Sequence, residues 1–98
     1  MIDFNNKQAV IKDFRQWLTT KNPDEEYDYV SNDNCAFAKY LKARGQDNPA
    51  VAGWSWGHVD KDGNYHSQHD LPLEIGDAVL RAIPRNFGNV ARYLDMHA

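Results

Sequence analysis

The chain has 98 residues, of which 42% are hydrophobic and 26% charged, and this composition excludes a disordered chain and predicts one domain spanning residues 1–98. Its formal net charge of −3 argues against a nucleic-acid partner, because phosphate binding needs a basic surface. A single cysteine excludes an internal disulfide, and no apolar run reaches the length of a membrane span. The N-terminal sequence does not resemble a signal peptide, so we expect a cytoplasmic protein that binds no membrane.

Two helices are predicted in the first half of the chain. Apolar residues recur at helical spacing in the first, which covers about residues 6–20 and has an asparagine as its candidate cap. The second covers about residues 34–44 after a run of serine and asparagine residues, and Gly45 is expected to end it in the left-handed conformation. At about 100° per residue, Cys35 falls on the side of this helix opposite its apolar stripe.

Residues 51–69 are predicted to form an antiparallel β-hairpin. The sequence 51-VAGWSWGHV-59 alternates between the two faces of a single strand, with both tryptophans on one face. The sequence 60-DKDGN-64 supplies the turn, and Gly63 is expected to take a positive φ there. The tryptophans then either form the core beneath the helices, which the alternation favours, or anchor a protein interface.

Two further helices complete the predicted fold. The buried stripe of the first ends before Pro84, and that of the second follows Asn86 as cap. The expected stripe residues are Ile75, Ala78, Val79, Ala82 and Ile83, then Phe87, Val90, Ala91 and Leu94. The order is α-α-β-β-α-α, an α+β fold in which helices cover at least one face of the hairpin, since a lone hairpin is marginally stable in water.

The histidines of the hairpin raise the question of a metal site. Pairing the strands across the turn places His58 opposite His66 and Trp56 opposite Gln68. With His69 and Asp70 just beyond, two imidazoles and a carboxylate could supply the three protein ligands of a catalytic zinc site. No Cys-x-x-Cys or His-Glu-x-x-His spacing supports zinc, so we predict plain packing, no metal and no cofactor.

Cys35 is the candidate nucleophile. A thiol at a helix N-terminus feels the positive end of the helix dipole, which lowers its pKa, and Lys39 acts in the same direction. A helix that opens with cysteine before a strand pair carrying histidine resembles small papain-like hydrolases of the NlpC/P60 type over about residues 34–69. The resemblance implies Cys35 as nucleophile and His58 or His66 as base. The alternative, which we prefer, is a small apolar residue without catalytic function.

An acidic, tyrosine-containing segment is the preferred candidate for binding a partner. Carboxylates cluster in 24-DEEYD-28, and they either form a solvated loop or set the choice of a protein partner. The predicted contact residues are Asp24, Glu25, Glu26, Tyr27, Asp28 and Tyr29.

The chain is small and acidic and contains the segments DNCAFAKYL and FGNVARYL. In these features it resembles accessory proteins of bacteriophages and mobile elements in general, although it resembles no defined family among them. That resemblance implies a protein that binds a protein partner stoichiometrically, for example as an inhibitor of a host enzyme or defence complex. A cysteine hydrolase is the alternative, and a structural subunit is a third. The sequence leaves the partner's identity and the oligomeric state open.

Overall fold

The computed structural model describes residues 2–97 and contains four helices and three strands in the order α-α-β-β-β-α-α. In chain order the elements are α1 (Lys7–Leu18), α2 (Ala36–Ala43), β1 (Pro49–Ala52), β2 (Ser55–Val59), β3 (Tyr65–Asp70), α3 (Leu73–Arg81) and α4 (Phe87–His97). The predicted α+β class is confirmed. No helix within the described residues is long and apolar enough to cross a membrane.

The ends of the first two helices follow from their capping residues. Asn6 caps α1, because its side-chain oxygen accepts a hydrogen bond from the backbone N–H of Ala9 at 3.1 Å. Gly45 follows α2 with φ of +83°, the left-handed conformation that the sequence predicts. The N-cap of α2 is Cys35 itself, with extended backbone and no side-chain capping bond, so this helix begins later than predicted.

The stretch predicted as one strand is two strands. β1 and β2 pair antiparallel and are joined by a tight turn at Gly53 and Trp54, where Gly53 has φ of +62°. Small and apolar residues alternate on both sides of this turn, so the period of two continues through it and hides the reversal. The predicted hairpin is β2 with β3, and the sheet order is β1-β2-β3.

A β-bulge shifts the register of this hairpin. His58 pairs with His66 as predicted, but Trp56 lies opposite His69, because Gln68 is an extra residue of β3 between two paired positions. The prediction of Gln68 opposite Trp56 is therefore wrong. Gly57 is necessary at the bulge, since a Cβ at that position would lie 1.8 Å from the carbonyl oxygen of His66.

One core cluster contains residues of all four helices and Trp56 of the sheet. Its centre is aromatic, and the rings of Phe14 and Tyr40 meet edge to face with centroids 5.3 Å apart. The Tyr40 hydroxyl donates to Asp13 Oδ2 at 2.6 Å, and Arg44 donates to the same oxygen at 2.7 Å. The hydroxyl oxygen of the buried Tyr40 side chain therefore has a hydrogen-bond partner.

The end of α3 corrects the predicted stripe. Ile75, Ala78 and Ala82 are buried as expected, whereas Ile83 is largely exposed. Because α3 ends at Arg81, Ile83 lies outside the helix, and the helical periodicity that predicted its burial does not apply to it. α4 buries Phe87, Val90 and Leu94 as predicted, whereas Ala91 of α4 and Val79 of α3 are only half-buried. Asn86 caps α4 by accepting a hydrogen bond from the N–H of Asn89 at 2.8 Å.

Candidate protein-binding cleft

An apolar cleft of about 310 Å³ opens between the N-terminus of α2, the β1–β2 turn and α3. None of its described lining residues carries a charge. They are Tyr29, Ser31, Asn32, Cys35, Phe37, Val51, Gly53, Trp54, Leu71, Gly76, Val79 and Leu80.

The rim of the cleft exposes three large side chains, which we call the rim residues. Tyr29, Trp54 and Leu80 are 41%, 50% and 43% exposed, and Val30 beside them is more exposed still. Isolated exposed apolar residues are ordinary, but several that surround one concavity are typical of an interaction site.

Two glycines place Trp54 at this rim. Gly53 permits the turn that separates Trp54 from β2, and Gly76 permits the indole to lie against α3. A Cβ on Gly76 would be 2.4 Å from Cζ3 of Trp54. The expectation that both tryptophans share one strand face is wrong, because only Trp56 lies in a strand, where it is buried.

The acidic segment, residues 24–29, is held against the start of α4. Phe87 donates its N–H to the carbonyl of Glu25 at 3.0 Å, and Tyr27 donates to the carbonyl of Arg85 at 3.3 Å. Gly88 donates to the carbonyl preceding this segment, that of Pro23, at 2.9 Å. The backbone of the segment is therefore held against the residues around the start of α4.

Four of the six predicted contact residues are exposed on this segment, namely Asp24, Glu26, Asp28 and Tyr29. Glu25 is half-buried, and its carboxylate is partly neutralised by Lys21 and Lys39, whose Nζ atoms lie 3.5 and 3.9 Å away. These two half-buried lysines therefore weaken the attraction of Glu25 for a basic partner.

Tyr27, the sixth predicted contact residue, belongs to the core. Its side chain is 7% exposed, and its hydroxyl donates to the carbonyl of Val79 at 2.7 Å. Burial raises the pKa of Tyr27, so the phenol stays neutral. The ring of Tyr27 packs on Phe87, so Tyr27 is not a surface residue that could contact a partner. Nothing in 24-DEEYDY-29 shows from the sequence that Tyr27 is buried and Tyr29 exposed.

The loop between the acidic segment and α2 forms one wall of the cleft. The Arg85 guanidinium stacks on the Tyr29 ring at 3.5 Å and donates to the carbonyl of Leu80 at 2.8 Å, joining two rim residues. Ser31 donates to Asp33 at 2.8 Å, which lowers the pKa of that exposed carboxyl group. Asp33 therefore stays ionised beside the cleft.

Cys35 lies at the base of the cleft and is 4% exposed. Its thiol is near the first backbone N–H groups of α2, which lower the pKa, but burial raises it by more, and the net pKa is above its ordinary value. The helical projection that placed Cys35 on the polar side fails, because Cys35 precedes the helix and has extended backbone.

The histidines lie elsewhere. His58 and His66 stack with ring centroids 5.1 Å apart, and His66 Nε2 is 2.7 Å from Asp60 Oδ2. Neither histidine lines the cleft that contains Cys35, so the structure does not assemble the predicted nucleophile with either base. Within residues 2–97, no three His, Cys, Asp or Glu side chains are grouped so that they could hold a metal ion.

Sequence reasoning identified only part of the rim, namely Tyr29 as a contact residue and Trp54 as one alternative for an interface anchor. Trp54 was assigned to a strand, and Leu80 and Gly76 were not identified at all. A glycine inside a predicted amphipathic helix was the available signal, since it often marks close packing of another group. A second groove, of about 440 Å³ on α1, is lined by polar and charged residues except for Ile11, and we do not consider it an apolar binding site.

No protein-family model, curated protein or solved structure matches the chain. We therefore infer its function from the residues of the cleft and the acidic segment.

Proposed function

We propose that this chain is a small acidic cytoplasmic protein-binding module, encoded by a bacteriophage or mobile element, that acts stoichiometrically on a protein partner. Inhibition of a host enzyme or defence complex is the role that such a molecule would have. Asp24, Glu26, Asp28 and Tyr29 are the contact residues of the acidic segment, with Glu25 as a weaker contributor.

One observation carries the proposal: three partly exposed large apolar side chains, Tyr29, Trp54 and Leu80, surround a single uncharged cleft. Aromatic residues at the centre of a contact area supply most of the affinity of a typical interface. The exposed carboxylates of the acidic segment would raise the rate of encounter with a basic surface. A soluble protein gains no stability by exposing these groups, so a binding role accounts for them.

A cysteine hydrolase remains the alternative, with Cys35 as nucleophile and His58 or His66 as base. Its support is the place of Cys35 beside an open cleft at a helix N-terminus. The raised pKa of the thiol, and the fact that neither histidine lines the cleft, favour binding over catalysis.

The decisive experiment compares two charge-reversed proteins of equal net charge. Asp24→Lys with Glu26→Lys reverses two exposed carboxylates of the acidic segment, whereas Asp47→Lys with Asp62→Lys reverses two exposed carboxylates elsewhere. We expect a protein captured from a bacterial extract by the wild type to be retained by the second variant and lost by the first. With the purified partner, light scattering should give a defined stoichiometric complex.

Two results would count against the proposal. If both variants capture the partner equally, and with the same dependence on salt, the acidic segment is not a contact surface. If no partner saturates the wild type, the module has no stoichiometric target.

A further inference from the structure

The cleft and the carboxylates beside it specify the chemistry of what binds there. We propose that the cleft receives a protruding peptide segment of the partner in which large apolar side chains are flanked by lysine or arginine. This inference rests on the protein-binding function proposed above and names the partner's contact segment.

The lining of the cleft selects apolar side chains. No described lining residue is charged, and its walls are formed by Phe37, Leu71, Val79 and the rim residues. Its volume of about 310 Å³ is at the lower end of the roughly 300–1,000 Å³ of ordinary ligand sites. A space of this size and polarity suits one or two large apolar side chains, and it would leave a charged group without a counterion.

The surroundings of the cleft select basic flanks. Asp28 directly precedes the rim residue Tyr29, and Asp33 lies between the lining residues Asn32 and Cys35 in the chain. Four carboxylates of this region make no salt bridge within residues 2–97, namely Asp24, Glu26, Asp28 and Asp33.

Besides Lys21 and Lys39 at Glu25, two further cations lie nearby. Arg85 is stacked on Tyr29, and Lys42 donates to the backbone carbonyl of Asp33 at 2.6 Å. With Glu25 included, this region holds five carboxylates and four cations, so it keeps a small acidic excess beside an uncharged cleft. Basic residues on both sides of an apolar segment would complement it.

A second copy of this chain fits the cleft less well. A closed symmetric dimer places the same patch of both copies face to face, so the acidic segment of one copy would meet that of the other. Like charges at such an interface repel, and Arg85, the cation at the cleft rim, only partly compensates them because it is already stacked on Tyr29.

The backbone of the acidic segment is held in place by hydrogen bonds between Glu25 and Phe87 and between Tyr27 and Arg85. A foreign segment therefore binds with little loss of conformational entropy in the backbone of the acidic segment.

Two synthetic peptides serve as probes. Both contain adjacent leucine and phenylalanine residues, which are flanked by lysines in one peptide and by glutamates in the other. Trp54 reports on binding, because it lines the cleft and is half-exposed, whereas Trp17 and Trp56 are buried and do not line it. We expect the lysine-flanked peptide to shift the tryptophan emission saturably, while the glutamate-flanked peptide does not. Calorimetry with Trp54→Phe should still detect binding.

Matched variants separate the apolar and charged contributions. Leu80→Ser removes a rim residue, and Leu73→Ser makes the same change on the same helix outside the cleft. We expect Leu80→Ser to weaken the lysine-flanked peptide by about tenfold or more. Asp28→Asn with Asp33→Asn should weaken it by roughly three- to tenfold and flatten its salt dependence, while Asp47→Asn with Asp62→Asn should not.

The outcomes distinguish this inference from the proposed function. If a partner is captured through the acidic segment but neither Leu80→Ser nor the peptides have any effect, the module binds proteins and the cleft is not the contact. Equal binding of both peptides would overturn the charge selection. If wild type dimerises and Leu80→Ser is monomeric, a second copy is the occupant and the inference fails. Circular dichroism of each variant shows that a loss of binding is not a loss of fold.

Discussion

At the scale of single residues, Cys35 shows how two effects of opposite sign compete at one atom. The helix N-terminus and its backbone N–H groups lower the pKa of the thiol, and burial beneath the cleft raises it. Burial is the larger effect, because only 4% of the residue reaches solvent. A position at a helix N-terminus is therefore insufficient to identify a reactive cysteine.

We predict that Cys35 reacts with iodoacetamide at neutral pH more slowly than a free thiol, and that the rate rises with pH. Because its pKa is raised in the folded state, the native protein keeps this proton longer than the unfolded chain. Its contribution to stability is therefore complete below the ordinary thiol pKa and is lost as pH rises through the folded pKa. Urea unfolding at neutral and alkaline pH measures this, with Cys35→Ser as the control.

A reaction faster than that of a free thiol would contradict this and would restore the hydrolase alternative. Protein unfolded in urea should react at the rate of the free thiol, which separates burial from an intrinsic property of the local sequence.

At the scale of elements, the sheet was predicted least completely. Alternation of small and apolar residues continues from β1 through the turn into β2, so no change of period marks the reversal at Gly53. The extra residue of the bulge, Gln68, gives no sign of it in the sequence, because glutamine has no special conformational preference. The one sign is Gly57 on the neighbouring strand, where a Cβ would have no room against the backbone.

Gly57→Ala should therefore destabilise the sheet. A Cβ 1.8 Å from the carbonyl oxygen of His66 forces β2 and β3 apart, and we expect a cost of roughly 1–3 kcal/mol or more. Thermal unfolding followed by circular dichroism measures the change. Ser67→Ala, at the exposed position that pairs with Gly57, is the control and should leave the midpoint nearly unchanged. Equal midpoints for both variants would mean that the strands accommodate the methyl group.

At the scale of the whole molecule, one aromatic core determines how the helices and sheet assemble. Phe14 of α1 contacts Trp17, Phe37 and Tyr40, so its ring joins two helices. Because a domain of this size is stabilised by only about 5–15 kcal/mol, a single such ring represents a large share of its stability. The cleft lies at the edge of this core, and Cys35 and Phe37 belong to both.

Phe14→Ala should accordingly cost about 3–5 kcal/mol of the free energy of unfolding, through lost burial and a cavity that neighbouring rings cannot fill. Equilibrium denaturation in urea, with tryptophan emission as the signal, measures the cost. Met96→Ala, at a highly exposed position of α4, should change stability by no more than about 0.5 kcal/mol. Similar costs for both variants would contradict a core organised around Phe14.

The sequence by itself determined the features that depend on local chemistry. Hydrophobic periodicity placed all four helices, Asn6 and Asn86 capped two of them, and Gly63 made the β2–β3 turn, because each of these depends on neighbouring residues alone. Only the tertiary structure decided that Tyr27 is buried while Tyr29 is exposed, and that Trp54 meets Leu80 at one cleft. These placements depend on contacts between residues distant in the chain, and local spacing carries no information about such contacts.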